Sequence, residues 1–319
     1  MGVAMTTPRI DDFPVVPRRR GLRRLKDVPV LPSLITLGNL FCGFLAIAKV
    51  ADALRLAPPG APFATVVHLF EVAVVLVFVA LIFDALDGRI ARITGQSTPF
   101  GAQLDSMADM VTFGVAPAFV AKVLVDWHAQ GDANGMLPLH PKLFYAAAAV
   151  YVLCAALRLA RFNVETSADE EDHRSFKGLP SPAAAMVVCG LIALFCTKNN
   201  PDAELGHLLL KPEHFDLIVV TMPAVLVLLG LLMVSRVPYP HALHTILKGR
   251  HSMPFLAALV VMIIVAAVEW QLALVVCTTG YVAWGLLLWV GRVVIRRRDD
   301  DDDDDGEPEP GARTQPSRN

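Results

Sequence analysis

The sequence predicts an all-α fold, a polytopic membrane helical bundle of about eight transmembrane helices, and three observations carry that expectation. Of 319 residues, 55% are hydrophobic and only 18% are charged, with a mean hydropathy of +0.52. The apolar residues come in runs of about 20, the length a helix needs to cross a bilayer core. Between the runs, connections rich in Lys and Arg alternate with connections poor in them, as in chains that cross repeatedly.

Residues 1–30 are polar, hold "RRRGLRRLK" at 18–26, and are expected to stay disordered or to lie on anionic headgroups. The apolar run that follows is too long for a signal-peptide core, so it reads as a retained first span. Spans are expected at 33–53, 64–86, 105–126, 142–162, 181–197, 215–234, 255–270 and 272–291. The first six make a membrane domain over 31–240, and the last two a C-terminal hairpin over 241–298. The tail, 299–319, opens with seven aspartates at 299–305 and reads as a solvated, disordered segment without fixed geometry for coordination.

Twenty Lys and Arg fall in the N-terminus, the 89–92, 158–177 and 236–250 segments and the 292–298 cluster, against four in the alternate connections, Arg55, Lys142, Lys198 and Lys211. This bias predicts an integral protein of the cell (inner) membrane with both termini and the segment near residue 90 in the cytoplasm. No basic groove with interleaved aromatics is present, so no nucleic-acid partner is expected. The five cysteines, Cys42, Cys154, Cys189, Cys196 and Cys277, lack CxxC spacing or a companion histidine and read as small buried hydrophobes.

Against this apolar background stands "FDALDGRIARITGQSTPFGAQLDSMAD" (83–109). Asp84, Asp87, Gly88, Ala91 and Arg92 follow the i, i+3, i+4, i+7, i+8 series, so on a helix they share a face. Gly95 breaks that helix, and Thr98 with Pro99 suits an N-cap and first helical residue. Gly101, Asp105 and Asp109, each four apart, then form a second stripe. Antiparallel packing of the two helices brings the four carboxylates together, with Gly88 and Gly101 leaving room for a backbone or a ligand. At 4 Å and an effective dielectric of 20, each carboxylate pair repels by about 4 kcal/mol. A positive group is therefore expected among them, since without a cation some would hold protons at neutral pH; two divalent ions cancel the charge, and an oxygen-only set without His or Cys favours Mg²⁺ or Mn²⁺ over zinc. The plainer reading makes these aspartates helix-end residues reaching water and pairing with Arg89 and Arg92. Four of them at helical spacing on adjacent spans favour a functional site instead.

Asp, two residues, Asp-Gly, two residues, Ala-Arg, eight residues, Gly, three residues, Asp, three residues, Asp: this run from Asp84 to Asp109 resembles the signature of the CDP-alcohol phosphatidyltransferases. "LPSLITLGNLFCGFLAI" (31–47), "ALRLARFNV" (156–164) and "FKGLPSPAAA" (176–185) resemble the phosphatidylserine synthase branch, and together the resemblance spans about 31–240. It implies transfer of a phosphatidyl group from CDP-diacylglycerol to the hydroxyl of L-serine, with CMP leaving. It also implies that Asp84, Asp87 and Asp105 hold a metal pair, and that Asp109 completes the site and acts as catalytic base. Gly88, Ala91, Arg92 and Gly101 would line the CDP-diacylglycerol site. The branch usually has asparagine where this chain has Ser33, which shifts attention on the first span to Thr36 and Asn39; a hydrogen bond within the bundle is the competing, commoner reading for Asn39. Arg161 and Phe162 match residues implicated in serine binding, and a homodimer in a lipid membrane is implied as well.

Serine carries a carboxylate, for which an arginine fork is the natural partner. Arg158 and Arg161 offer one, with Lys177 near the same pocket; anchoring at the headgroups is the competing reading for Arg158 and Lys177. Ser181 reads locally as an N-cap before Pro182. Sister enzymes taking glycerol 3-phosphate or inositol phosphate are the nearest rivals. A prenyltransferase would separate its aspartates into two motifs, and an ion-coupled transporter would show an internal repeat, which this sequence does not. Glu71 and His68 read as groups satisfied within the bundle, and Lys49 and Lys122 as reaching an interface. His241, His244 and His251 lack ligand-spaced partners.

Overall fold

A computed structural model describes residues 30–56, 63–93, 98–131, 141–168, 178–199, 208, 211–237, 239 and 253–304. The basic N-terminal segment, Lys177, the three histidines at 241–251 and residues 305–319 lie outside the described residues. Among those described the chain is helical, with no strand. The helices are α1 Val30–Leu56, α2 Val67–Ile93, α3 Pro99–Asp109, α4 Ala116–Gly131, α5 Pro141–Ala168, α6 Ser181–Cys196, α7 Pro212–Val234, α8 Met253–Val268 and α9 Trp270–Asp304.

Six stretches are long and apolar enough to cross a membrane: Val30–Leu56, Val67–Ile90, Pro99–Ala129, Lys142–Val164, His214–Val234 and Trp270–Gly291. The expected fifth and seventh spans exist as helices, but α6 and α8 have 16 residues each, about 24 Å at 1.5 Å per residue against a core of about 30 Å. Among the described residues six helices are thus long enough to cross and two expected spans fall short, so the count of eight is not confirmed. Packing explains how α6 tolerates its length. It is buried on nearly every side, Ala184 through Cys189 included, and packs against α2, α4, α7 and α9. A helix apolar all round belongs in an interior, where its neighbours rather than lipid surround it.

The third span is one rod built in three parts. Thr98, extended at φ −124° and ψ 152°, caps α3 by accepting from the Gly101 amide at 3.1 Å, and Pro99 follows in the first turn. This is the start signal read from the sequence. Directly after Asp109 the helix widens into a π turn over Met110–Val115 before α4 resumes. Neighbouring helices seize the turn: the Thr112 hydroxyl donates to the Asn39 carbonyl at 3.2 Å, and Tyr151 Oη donates to the Phe113 carbonyl at 3.1 Å. At this point α1 comes very close. A Cβ on Gly43 would stand 2.4 Å from Thr112 Oγ1 and 2.8 Å from its Cα, so no larger residue fits without moving a backbone.

The segment leading into α6 is pinned to the end of α7. Gly178 has φ +94°, donates its amide to the Val237 carbonyl at 2.8 Å, and is followed by Leu179 donating to Leu232 at 3.0 Å. The left-handed backbone there calls for glycine. At the far end α9 continues to Asp304.

Cys42, Cys189 and Cys196 are buried as expected, while Cys154 is half-buried and Cys277 exposed; all are free thiols. Lys122 pairs with Asp126 one turn on and lies 4.2 Å from the centroid of the Tyr145 ring. His68 is exposed and Glu71 half-buried. With Trp270 and Gln271 they border a cavity of about 440 Å³ rather than sitting sealed in the bundle.

Candidate active site

The four aspartates come from two helices, and a third organises them. Asp84 and Asp87 lie on the last turns of α2, Asp105 and Asp109 on α3, and both helices pack chiefly on α1. The expected direct α2–α3 seam is thus replaced by α1 as the common support. Thr36 of α1 donates to Asp87 Oδ2 at 2.9 Å while also sharing its hydroxyl with the Pro32 carbonyl at 3.1 Å. Asn39, one turn on, donates from Nδ2 to Asp109 Oδ1 at 3.2 Å. Both side chains are buried. Through these bonds α1 holds one carboxylate of each acidic helix, and for Asn39 this is a hydrogen bond within the bundle.

Asp84, Asp105 and Asp109 each present a carboxylate oxygen, and these oxygens lie within 4.8 Å of one another. Asp87 stands outside that trio, 5% exposed, yet within electrostatic reach of Asp84, Asp105 and Asp109. Two acceptor atoms here are buried without a hydrogen-bond donor among the described residues, Asp105 Oδ1 and Asn39 Oδ1. Buried acceptors left unmatched beside three converging carboxylates form a set that a hard cation satisfies. The donors fit Mg²⁺ or Mn²⁺ by type: all are oxygens, and among the described residues no His or Cys joins them.

The two site glycines differ from Gly43 in what surrounds them. A Cβ on Gly88 would meet nothing within 4 Å, and one on Gly101 would touch only Thr98 Oγ1 at 3.4 Å. The space beside both is open, so neither is a point of close helix approach; that is the work of Gly43. Ala91 and Arg92 continue the same helix, although their side chains lie outside what the structure describes.

The C-terminal end of α5 abuts this site. Ser106, between the two aspartates of α3, donates to Asn163 Oδ1 at 2.9 Å. Arg161 is half-buried and Phe162 36% exposed on the adjoining turn. Arg158 lies within electrostatic reach of Asp109. Its Nη1 donates to Ser181 Oγ at 2.9 Å, and its Nε is buried with no acceptor among the described residues. Ser181 is consequently not the N-cap of α6: Pro180 holds that position, and Ser181 is the first helical residue, fully buried, with its hydroxyl turned to Arg158.

Sequence reasoning did not find Asn163, Thr112 or the π turn. A Ser–Asn pair 57 residues apart leaves no periodic trace, and a single widened turn does not alter hydropathy.

Comparison with known proteins bears on the same residues. Residues 29–229 match the family model described as CDP-alcohol phosphatidyltransferase. A CDP-diacylglycerol–serine O-phosphatidyltransferase of Helicobacter pylori strain J99 is 29% identical over 266 residues, covering 82% of this chain and 91% of the relative. Its counterpart in Helicobacter pylori strain 26695 is 32% identical over 212 residues, 66% of this chain and 72% of the relative. A protein of the same name from Methanocaldococcus jannaschii is 35% identical over 165 residues, 52% of this chain and 62% of the relative. The matched stretch contains all four aspartates and the α1 residues that hold two of them, and the chain belongs to the CDP-alcohol phosphatidyltransferase family.

Proposed function

We propose that this integral membrane protein transfers the phosphatidyl group of CDP-diacylglycerol to the hydroxyl of L-serine, giving phosphatidylserine and CMP. The observation that carries the reading is the meeting of Asp84, Asp105 and Asp109 within 4.8 Å, in a chain whose relatives bear that enzyme's name.

Asp84, Asp87, Asp105 and Asp109 would hold two Mg²⁺ or Mn²⁺ ions. When bound, such ions neutralise a diphosphate and stabilise attacking and leaving oxygens. The open space beside Gly88 and Gly101 admits the donor's diphosphate, and Arg92 follows on the same stripe. Asn39 fixes one Asp109 oxygen, which leaves the other to take the proton of the serine hydroxyl. That hydroxyl bonds to the phosphorus next to the diacylglycerol as the bond from that phosphorus to CMP breaks. Arg158, Arg161 and Phe162, with Lys177, supply the acceptor side, where the serine carboxylate needs a fixed cation. The Lys and Arg distribution supports a cytoplasmic site, where both CMP and serine are soluble.

The test is CMP release from CDP-diacylglycerol by purified protein, with serine, glycerol 3-phosphate or inositol phosphate as acceptor, with and without Mn²⁺ or Mg²⁺. The expected result is metal-dependent release with serine that Asp109→Asn abolishes. Preference for a phosphorylated acceptor overturns the substrate, and metal-independent release overturns the site.

A further inference from the structure

Pro117 explains why the third rod widens where it does. It stands in the first turn of α4, four residues after Phe113; it has no N–H to give the Phe113 carbonyl, and its ring crowds that same oxygen. The chain answers with the π turn, in which the Ala116 amide reaches back to the Val111 carbonyl. The Phe113 carbonyl takes its hydrogen bond from another helix instead: Tyr151 Oη of α5 donates to it at 3.1 Å, from a side chain that is fully buried. A buried carbonyl left without a donor is costly, so the irregular turn and the tyrosine belong together.

The same contact fastens α5 to the acidic rod. Ala155, one turn beyond Tyr151, has its Cβ 3.4 Å from where a Cβ on Gly114 would stand, so it too seats on the π turn. Tyr151, Ala155 and Arg158 follow the i, i+4, i+7 series and share one face of α5. A second tie lies toward the C-terminal end of that helix, where Ser106 donates to Asn163 at 2.9 Å. The earlier residue of the rod meets the later residue of α5, so the two run antiparallel. Asp109 falls between Ser106 and Phe113 on the rod, and Arg158 falls between Tyr151 and Asn163 on α5. The two ties thus bracket both the proposed base and the arginine of the acceptor side. Asp109 itself is held separately, by Asn39 of α1.

We propose that Tyr151 is a positioning residue for the transfer: by donating to the carbonyl that Pro117 deprives of its helical partner, it fixes the register of α5 against the acidic rod and so the placement of Arg158 relative to Asp109. The inference rests on the serine reading and adds to it a residue far enough inside the bundle to touch neither substrate. It also gives the π turn a task, which is to offer α5 a free carbonyl one turn beyond the base.

The experiment compares wild type with Tyr151→Phe, which keeps the ring and loses the bond, in detergent, measuring CMP release against serine, CDP-diacylglycerol and Mn²⁺. A small misplacement of the acceptor against the base should lower kcat/KM for serine about 10- to 100-fold. KM for CDP-diacylglycerol and the Mn²⁺ concentration for half-maximal rate should stay within twofold of wild type, because α1 still holds the carboxylates. Tyr151→Phe combined with Pro117→Ala returns an N–H to the position four residues after Phe113, so the carbonyl regains a donor while α5 stays untied; this variant should keep the serine defect, and it is read in the same way if the single variant accumulates poorly. A kcat/KM for serine within twofold of wild type overturns the proposal. An equal loss toward CDP-diacylglycerol or Mn²⁺ overturns it as well, since that marks general damage, and so does recovery of serine kinetics in the double variant, which leaves Tyr151 a merely structural part. Wild-type protein that releases no CMP with serine removes the serine reading and this one with it, whereas normal wild-type kinetics beside an unaffected variant removes this one alone.

Discussion

Asn39 on α1 donates to Asp109 on α3 across 3.2 Å, and its own backbone carbonyl accepts from Thr112 on the π turn that follows Asp109. One residue therefore fixes both the carboxylate and the irregular turn beside it. Thr36, one turn earlier, holds Asp87 in the same manner.

Replacing these supports should weaken the site without removing a ligand. Asn39→Ala and Thr36→Val are each expected to lower metal affinity or activity about 10- to 100-fold, the usual effect of losing a group that orients a ligand. Titrating CMP release with Mn²⁺ checks it. A fall that excess Mn²⁺ restores places the loss in metal binding, whereas an unchanged titration contradicts the geometry.

Three carboxylates within 4.8 Å repel one another until a cation joins them. Mg²⁺ or Mn²⁺ at about 100 times its Kd should stabilise the folded protein by about 2.7 kcal/mol. In Asp105→Asn the sign divides. Metal-free protein should melt higher than metal-free wild type, because one repelling charge is gone, and added metal should raise its Tm less. Thermal unfolding in detergent, with chelator and then with metal, reads both.

Two glycines should respond oppositely to the same added methyl. Gly43→Ala drives a Cβ to within 2.4 Å of Thr112 Oγ1 and 2.8 Å of its Cα, an overpacking expected to destabilise by about 1–3 kcal/mol. Gly88→Ala meets no protein atom within 4 Å, so Tm should hold while KM for CDP-diacylglycerol rises. Equal melting temperatures for the two variants would contradict the packing described.

Gly178→Ala combines two penalties, a φ of +94° and a Cβ 2.4 Å from the Met233 carbonyl oxygen. A loss of about 1–3 kcal/mol is expected from the backbone strain alone. Because that turn delivers Ser181 to Arg158, KM for serine should rise as stability falls.

The helices and the carboxylate stripes were legible because both are periodic. Asp84 and Asp87, or Asp105 and Asp109, share a face at any helical register, and Thr98 with Pro99 marks a start that local chemistry alone enforces. What was hidden depends on contacts far apart in the chain. Ser181 is locally a plausible cap, but Arg158, 23 residues away, claims its hydroxyl. That Thr36 and Asn39 reach Asp87 and Asp109 could not be read from the sequence, because it depends on α1 packing across both acidic helices.

The π turn at Met110–Val115 sets a constraint on anyone who would redesign or align this protein. Each residue advances a helix by about 100°, so deleting one between Met110 and Val115 to regularise the rod would swing everything beyond it relative to the acidic pair before it. Hydropathy would be unchanged and the span would still insert, yet Asp109 and the α4 face could no longer both meet their neighbours. Chain length at that point is as much a part of the enzyme as the identity of its aspartates.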